Sequence, residues 1–95
     1  MQNLYTLKKD LKSLKEKLEH INYPSLYMFK FIVATDLQKV AQIEAMFNSE
    51  RAQISRKESS KGTYVSLSIR EVMVNSDEIL DIYMKASKIE GVIAL

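Results

Sequence analysis

Apolar residues at Leu4, Leu7, Leu11, Leu14, Leu18 and Ile21 recur alternately three and four positions apart. That spacing draws one apolar stripe along an α-helix, with Lys and Glu on the other faces. Asn3 is a candidate N-cap, and Asn22 ahead of Tyr23-Pro24 is a natural stop. The spacing matches a coiled-coil seam, yet it is short for an independent coiled coil. The stripe is therefore expected to pack on its own domain or on a twin subunit, with a foreign partner as the alternative. A membrane-surface role fits less well, because the apolar face has no Phe or Trp and acids dilute the basic face.

From Leu26 to Ala34 the pattern changes to period two. Tyr27, Phe29, Phe31 and Val33 form one face of a strand, and Met28, Lys30 and Ile32 the other. Thr35 followed by Gln38 reads as a capping box opening a helix with Leu37, Val40, Ile43, Met46 and Phe47 on one side. Arg51 to Lys57 reads as a second strand, polar enough for a sheet edge. A turn at Ser59-Ser60-Lys61-Gly62 leads into a third strand. There Thr63, Val65, Leu67 and Ile69 face one way, and Tyr64, Ser66, Ser68 and Arg70 the other. Asn75 with Glu78 is another capping box, with Ser76 as an alternative cap, opening a helix that carries Ile79, Ile82, Tyr83, Ala86 and Ile89. Gly91 is a suitable stop, and Val92 to Leu95 makes a short last strand.

The order is thus an N-terminal amphipathic helix over residues 1–22, then β-α-β-β-α-β over residues 23–95. This predicts an α+β, ferredoxin-like sandwich whose four-stranded antiparallel sheet carries both crossover helices on one face. The other face must be solvated, covered or used. It would show Met28, Ile32 and Tyr64 among Lys30, Gln53, Ser55, Lys57, Ser66, Ser68 and Arg70. A half-apolar open face and a leftover leucine-striped helix together suggest a lid, within the chain or between subunits.

Length and charge narrow the class further. The chain has 95 residues, enough for one domain with a modest core. Its net charge is +2, and the excess lies in residues 1–20, where Lys8, Lys9, Lys12, Lys15 and Lys17 outnumber Asp10, Glu16 and Glu19. Beyond Ile21 the signs balance, so the body is not expected to be a strongly cationic nucleic-acid binder. Absence of cysteine excludes disulfides and thiolate metal sites. No apolar run approaches a bilayer span and no signal-peptide core is present, so the expectation is a soluble cytoplasmic protein.

Ser59-Ser60-Lys61-Gly62, then Tyr64, Ser66, Ser68 and Ile69, with Tyr83 and the closing Ile89 to Leu95 segment at matching distances, carry a resemblance. From Tyr23-Pro24 to Leu95 the chain resembles the YbeD-like family of small bacterial proteins, a domain of unknown function. The resemblance implies a ferredoxin-like fold similar to ACT-type regulatory domains, which sense small metabolites, often amino acids, at dimer interfaces. It implies regulation and brings no catalytic residues. The N-terminal helix departs from the family, whose N-terminal segment is typically shorter.

The turn at Ser59 to Gly62 has two readings. Its hydroxyls, ammonium and glycine-exposed amides could hold a phosphate or carboxylate, or Ser, Gly and Lys could simply be what a soluble hairpin tip needs. The P-loop spacing is absent. Lys61-Gly62-Thr63-Tyr64-Val65 is similar to the RNA-recognition signature on the third strand of this fold. Base stacking, however, needs aromatics where Thr63 and Val65 stand, and Tyr64 lies in the other register. His20 reads as a solvated or helix-capping side chain, Asp77 and Glu78 as macrodipole partners, and Glu71 as a surface residue. The five methionines suggest packing.

The reading that follows is a non-catalytic regulatory or adaptor domain without cofactor or metal. A small anionic or amino-acid-like ligand would bind at Ser59, Ser60, Lys61 and Tyr64, with Arg70 behind them. Leu4, Leu7, Leu11, Leu14 and Leu18 would offer a partner or dimer surface, with a homodimer as the expected assembly. The alternative is an RNA-binding module using the open sheet face.

Overall fold

Two long strands of alternating burial organise the molecule: β1 (Ser25–Ala34) and β3 (Tyr64–Met73). They pair antiparallel over their full length, from Ser25 opposite Met73 to Ala34 opposite Tyr64. The edge strands are β2 (Gln53–Glu58), antiparallel to β3, and the two-residue β4 (Ile93–Ala94), antiparallel to β1. The strand order is β2-β3-β1-β4. With helices α1 (Leu4–Leu18), α2 (Leu37–Glu44) and α3 (Ser76–Ser87), the chain runs α1-β1-α2-β2-β3-α3-β4. The structure is a computed structural model that describes the backbone from Leu4 and side chains from Leu11. The Asn3 cap and the side chains of Leu4 and Leu7 lie outside the described residues.

The apolar positions of one parity on β1 and β3 form the core. Phe29, Phe31 and Val33 of β1 join Val65, Leu67, Ile69 and Met73 of β3. Upon them sit Val40, Ile43 and Phe47 from α2 and the turn after it, and Ile79, Ile82, Tyr83 and Ala86 from α3. Phe29 is the centre, with ring centroids of Tyr27 at 4.7 Å, Phe47 at 5.1 Å and Tyr83 at 5.3 Å. Burying a side chain of this size contributes about 1.5–3 kcal/mol.

The leucine helix does not cover the open sheet face. Leu18 is buried in the core among the helices, and Leu11, Leu14 and Ile21 pack half-buried against it. The lid expected of this helix is thus replaced by a third element in the helical layer. Its end is fastened where the Tyr23 hydroxyl donates to the Leu18 carbonyl at 2.8 Å.

Several local expectations are corrected. Asp36, not Thr35, caps α2: its carboxylate accepts from Gln38 N at 2.9 Å and Lys39 N at 3.4 Å. Thr35 donates its hydroxyl to the Gly62 carbonyl at 2.8 Å instead, since the β1–α2 loop abuts the hairpin tip. Leu37 points away from the core, 81% exposed. Strand β2 starts at Gln53 rather than Arg51, because Asn48 folds residues 48–52 into a turn by accepting from Glu50 N and Arg51 N. Asn75 caps α3 as expected, while Glu78 accepts from Val74 N, one residue before the capping-box position. Helix α3 ends at Ser87, and Gly91 at φ 81° turns the chain into β4.

Candidate functional site

The helix-free face of the sheet is uncovered and of mixed apolar and cationic character. Strand alternation and register place its side chains in rows across β1, β3 and β2. Met28, Arg70 and Gln53 form one row; Lys30, Ser68 and Ser55 the next; Ile32, Ser66 and Lys57 the third. Leu26 opposite Val72 extends the array at one end and Ala34 opposite Tyr64 at the other. Beyond β1, Ile93 of β4 lies opposite Ile32. Leu26, Met28, Tyr64, Val72 and Ile93 are all exposed.

A shallow depression of about 450 Å³ lies at the β2 side of this face, lined by Met28, Gln53, Ile54, Ser55, Ser68 and Arg70. Such a volume falls in the range of small-ligand sites, but the depression is open and bordered by an edge strand whose six residues are all exposed.

The sequence-derived site residues divide between two places. Ser59, Ser60 and Lys61 form the β2–β3 hairpin tip. There Gly62 N donates to the Ser59 carbonyl at 2.9 Å, and Ser59 N to the Tyr64 carbonyl at 2.9 Å. Tyr64 N donates to Ser59 Oγ at 3.1 Å. With Gly62 at φ 69°, these bonds occupy the Ser59, Gly62 and Tyr64 amides inside the turn, which removes them from any anion cradle. Tyr64 begins β3 on the open face. Arg70 is six residues further along the same strand, about 20 Å away at the ordinary rise of a strand. The structure therefore joins Arg70 to Met28, Gln53, Ser55 and Ser68 and leaves it apart from the tip. Of the leucines, Leu18, Leu11 and Leu14 are engaged with their own domain.

Lys30 and Lys57 were placed on this face by the sequence pattern but not singled out as binding residues. Their signal was the parity of the acids: Glu58 opposite Val65, and Glu71 opposite Tyr27, share the register of the core-facing residues. Counting charge along the chain hides this, since it averages the two faces.

Glu71 is not a surface residue. It is 5% exposed, and its carboxylate accepts from Asn48 N at 2.8 Å while Arg51 stands 4.0 Å off. Nearby polar groups serve packing. The Tyr27 and Tyr83 hydroxyls are 3.0 Å apart, and burial, then the bond to Tyr27, hold the Tyr83 phenol well above its ordinary pKa. Burial, followed by the neighbouring Tyr27, also raises Tyr23. The Arg56 guanidinium forks onto Glu44 of α2, with Nε 3.1 Å from Oε2. Among the described residues, no group of His, Asp or Glu is arranged to hold a metal ion, and no helix is long and apolar enough to cross a membrane.

Residues 18–95 match the family described as a protein of unknown function (DUF493), to which the YbeD-like proteins belong. No curated protein and no solved structure matches the chain. The matched segment includes the last residue of α1, the buried Leu18.

Proposed function

For a chain that belongs to this DUF493 family of proteins of unknown function, we propose a non-catalytic regulatory or adaptor role, with the open sheet face as the binding surface. The observation that carries this is the face itself: exposed Leu26, Met28 and Val72 beside Arg70, with all three helices on the opposite side. A sheet left half-apolar on one side is a surface to be used. The strand order β2-β3-β1-β4 with both crossover helices on one face supports a ferredoxin-like, ACT-type reading. In that reading a metabolite or a partner's segment engages the face of a cytoplasmic domain, and two copies associate as a homodimer.

Thermal unfolding against amino acids, organic acids and nucleotides tests the metabolite arm, comparing the wild type with a Met28→Gln/Arg70→Glu variant. A ligand at 100 times its dissociation constant raises the midpoint by on the order of 10 °C for a domain of this size. A shift lost in the variant supports the open face as the site. A shift that persists in the variant puts the ligand elsewhere and sinks this reading. A flat panel leaves macromolecular partners as the occupants of the face.

A further inference from the structure

The open face of the sheet carries charge of one sign. On the open face Lys30, Lys57 and Arg70 sit among Ser55, Ser66 and Ser68, and no open-face position of the described strands carries an acid. The acids lie on the helical side or in connections. Glu58 and Glu71 have core-facing parity, Glu44 is on α2, and Asp77, Glu78 and Asp81 are on α3. The ion pairs among the described residues join Arg51 to Glu71, Arg56 to Glu44 and Lys85 to Asp81. None of them involves Lys30, Lys57 or Arg70. Three cations on one face with no counter-charge there raise the local concentration of anions.

Resting on the reading of the open face as the binding surface, we infer that its occupant is an extended segment of a partner protein with carboxylates at every second position and apolar side chains at its two ends in the same register. The spacing supports this. Adjacent rows are about 7 Å apart and adjacent strands about 5 Å, which puts Lys30 about 8 Å from Arg70 and Lys57 about 14 Å from Arg70 between Cα atoms. Carboxylates two and four residues apart on an extended chain are separated by about 7 and 14 Å. The apolar residues two positions before the first carboxylate and two after the last, which face the sheet as the carboxylates do, meet Leu26 with Val72 at one end and Ala34 with Tyr64 at the other. The hydroxyls of Ser55, Ser66 and Ser68 offer hydrogen bonds between the cations.

Two rival occupants fit less well. Face-to-face stacking with a second copy sets these cations against their own kind, a juxtaposition that disfavours association. Single-stranded RNA would find its phosphates matched, but it needs aromatic platforms at successive base positions. The face offers Tyr64 alone, at the end of the array beside Ala34.

The test is an amide chemical-shift titration of the full chain with three probes. They are a pool of short peptides with Asp or Glu at three alternate positions, Leu, Val or Phe two positions outside them at each end and Ser or Thr elsewhere, the matched pool with Lys in place of the acids, and a short oligo(U) RNA. The expected result is that the acidic pool shifts the amides of β1 and β3 around Lys30, Ser68 and Arg70. Affinity should fall with added salt, and by about tenfold or more in Lys30→Glu/Arg70→Glu. Both positions are exposed, so the variant should keep its dispersed spectrum, and Lys30→Gln/Arg70→Gln replaces it if it does not. Acidic peptides that bind the charge-reversed variant as tightly overturn the inference. If the basic pool or the RNA shifts the open-face amides and the acidic pool does not, the acidic partner is wrong and the open-face reading stands. If no probe moves those amides, the acidic segment is overturned, while the open-face reading is decided by the metabolite panel.

Discussion

The hydroxyls of Tyr27 and Tyr83 meet at 3.0 Å across a sequence separation of 56 residues, joining the start of β1 to the middle of α3. Tyr83 is buried and Tyr27 half-buried, so the two ends of this bond are not equivalent. Tyr27→Phe strands the Tyr83 hydroxyl where water reaches it poorly, which costs about 1–3 kcal/mol. Tyr83→Phe leaves the Tyr27 hydroxyl able to find water, with a net loss of about 0.5–1.5 kcal/mol. Urea unfolding of both single variants and the double variant checks this ordering. The double variant should be no less stable than Tyr27→Phe alone, and a double variant that loses the sum of both would refute the pairing.

The same pair sets an alkaline limit. The Tyr83 phenol is held protonated in the fold above its ordinary value of 10.0. The contribution is fully present below the unfolded-state pKa. As pH rises past it, the unfolded chain releases the proton first, and stability falls toward the folded-state pKa. The slope from this one group cannot exceed about 1.4 kcal/mol per pH unit. Denaturant midpoints measured between neutral pH and pH about 11 should decline beyond the ordinary tyrosine range. Tyr83→Phe should flatten that decline, and an unchanged slope in the variant would assign it to other groups.

Glu71 fastens the turn after α2 to the sheet through its bond to Asn48 N. Glu71→Ala leaves that amide without its acceptor, at about 1–3 kcal/mol. Glu71→Gln keeps an oxygen in place and should cost less. Hydrogen exchange at the Asn48 amide reports this locally: it should quicken strongly in the alanine variant and little in the glutamine one.

Leu18 is 2% exposed at the junction of α1 with the core. Leu18→Ala should cost about 2–5 kcal/mol, and Leu11→Ala and Leu14→Ala less, since those side chains are half-buried. Removal of residues 1–22 should then lower the unfolding midpoint sharply. A truncated chain that melts like the full one would return the stripe to the role of a partner surface.

Much of this architecture is legible in the sequence because β1 and β3 alternate strictly, and alternation fixes both strand and face. The open-face residues follow from parity alone, as Met28, Lys30, Ser68 and Arg70 show. Other features depend on contacts distant in sequence. Thr35 loses the cap to Asp36 because its hydroxyl finds the Gly62 carbonyl, which local pattern cannot foresee. Glu71 is charged and near a strand end, which reads as surface until the turn at Asn48 closes over it. The leucine stripe announces an apolar partner without saying which, and the open face and the helical layer were equally available to it. Grouping Arg70 with the hairpin tip fails on distance, since it lies six residues beyond Tyr64 along β3.

The hairpin tip separates a structural turn from an anion site by experiment. Gly62 sits at φ 69° with nothing within 4 Å of an added Cβ, so Gly62→Ala meets no clash and suffers only the left-handed backbone, about 1–2 kcal/mol. Ser59→Ala removes the acceptor of Tyr64 N and should cost about 0.5–1.5 kcal/mol. Lys61→Ala, exposed at the tip, should change stability by less than about 0.5 kcal/mol. Since the turn bonds already occupy the amides of Ser59, Gly62 and Tyr64, phosphate should protect none of these variants differently from the wild type in thermal unfolding. A phosphate-dependent rise in midpoint that Lys61→Ala abolishes would reinstate the tip as an anion site, held by the side chains of Ser60 and Lys61.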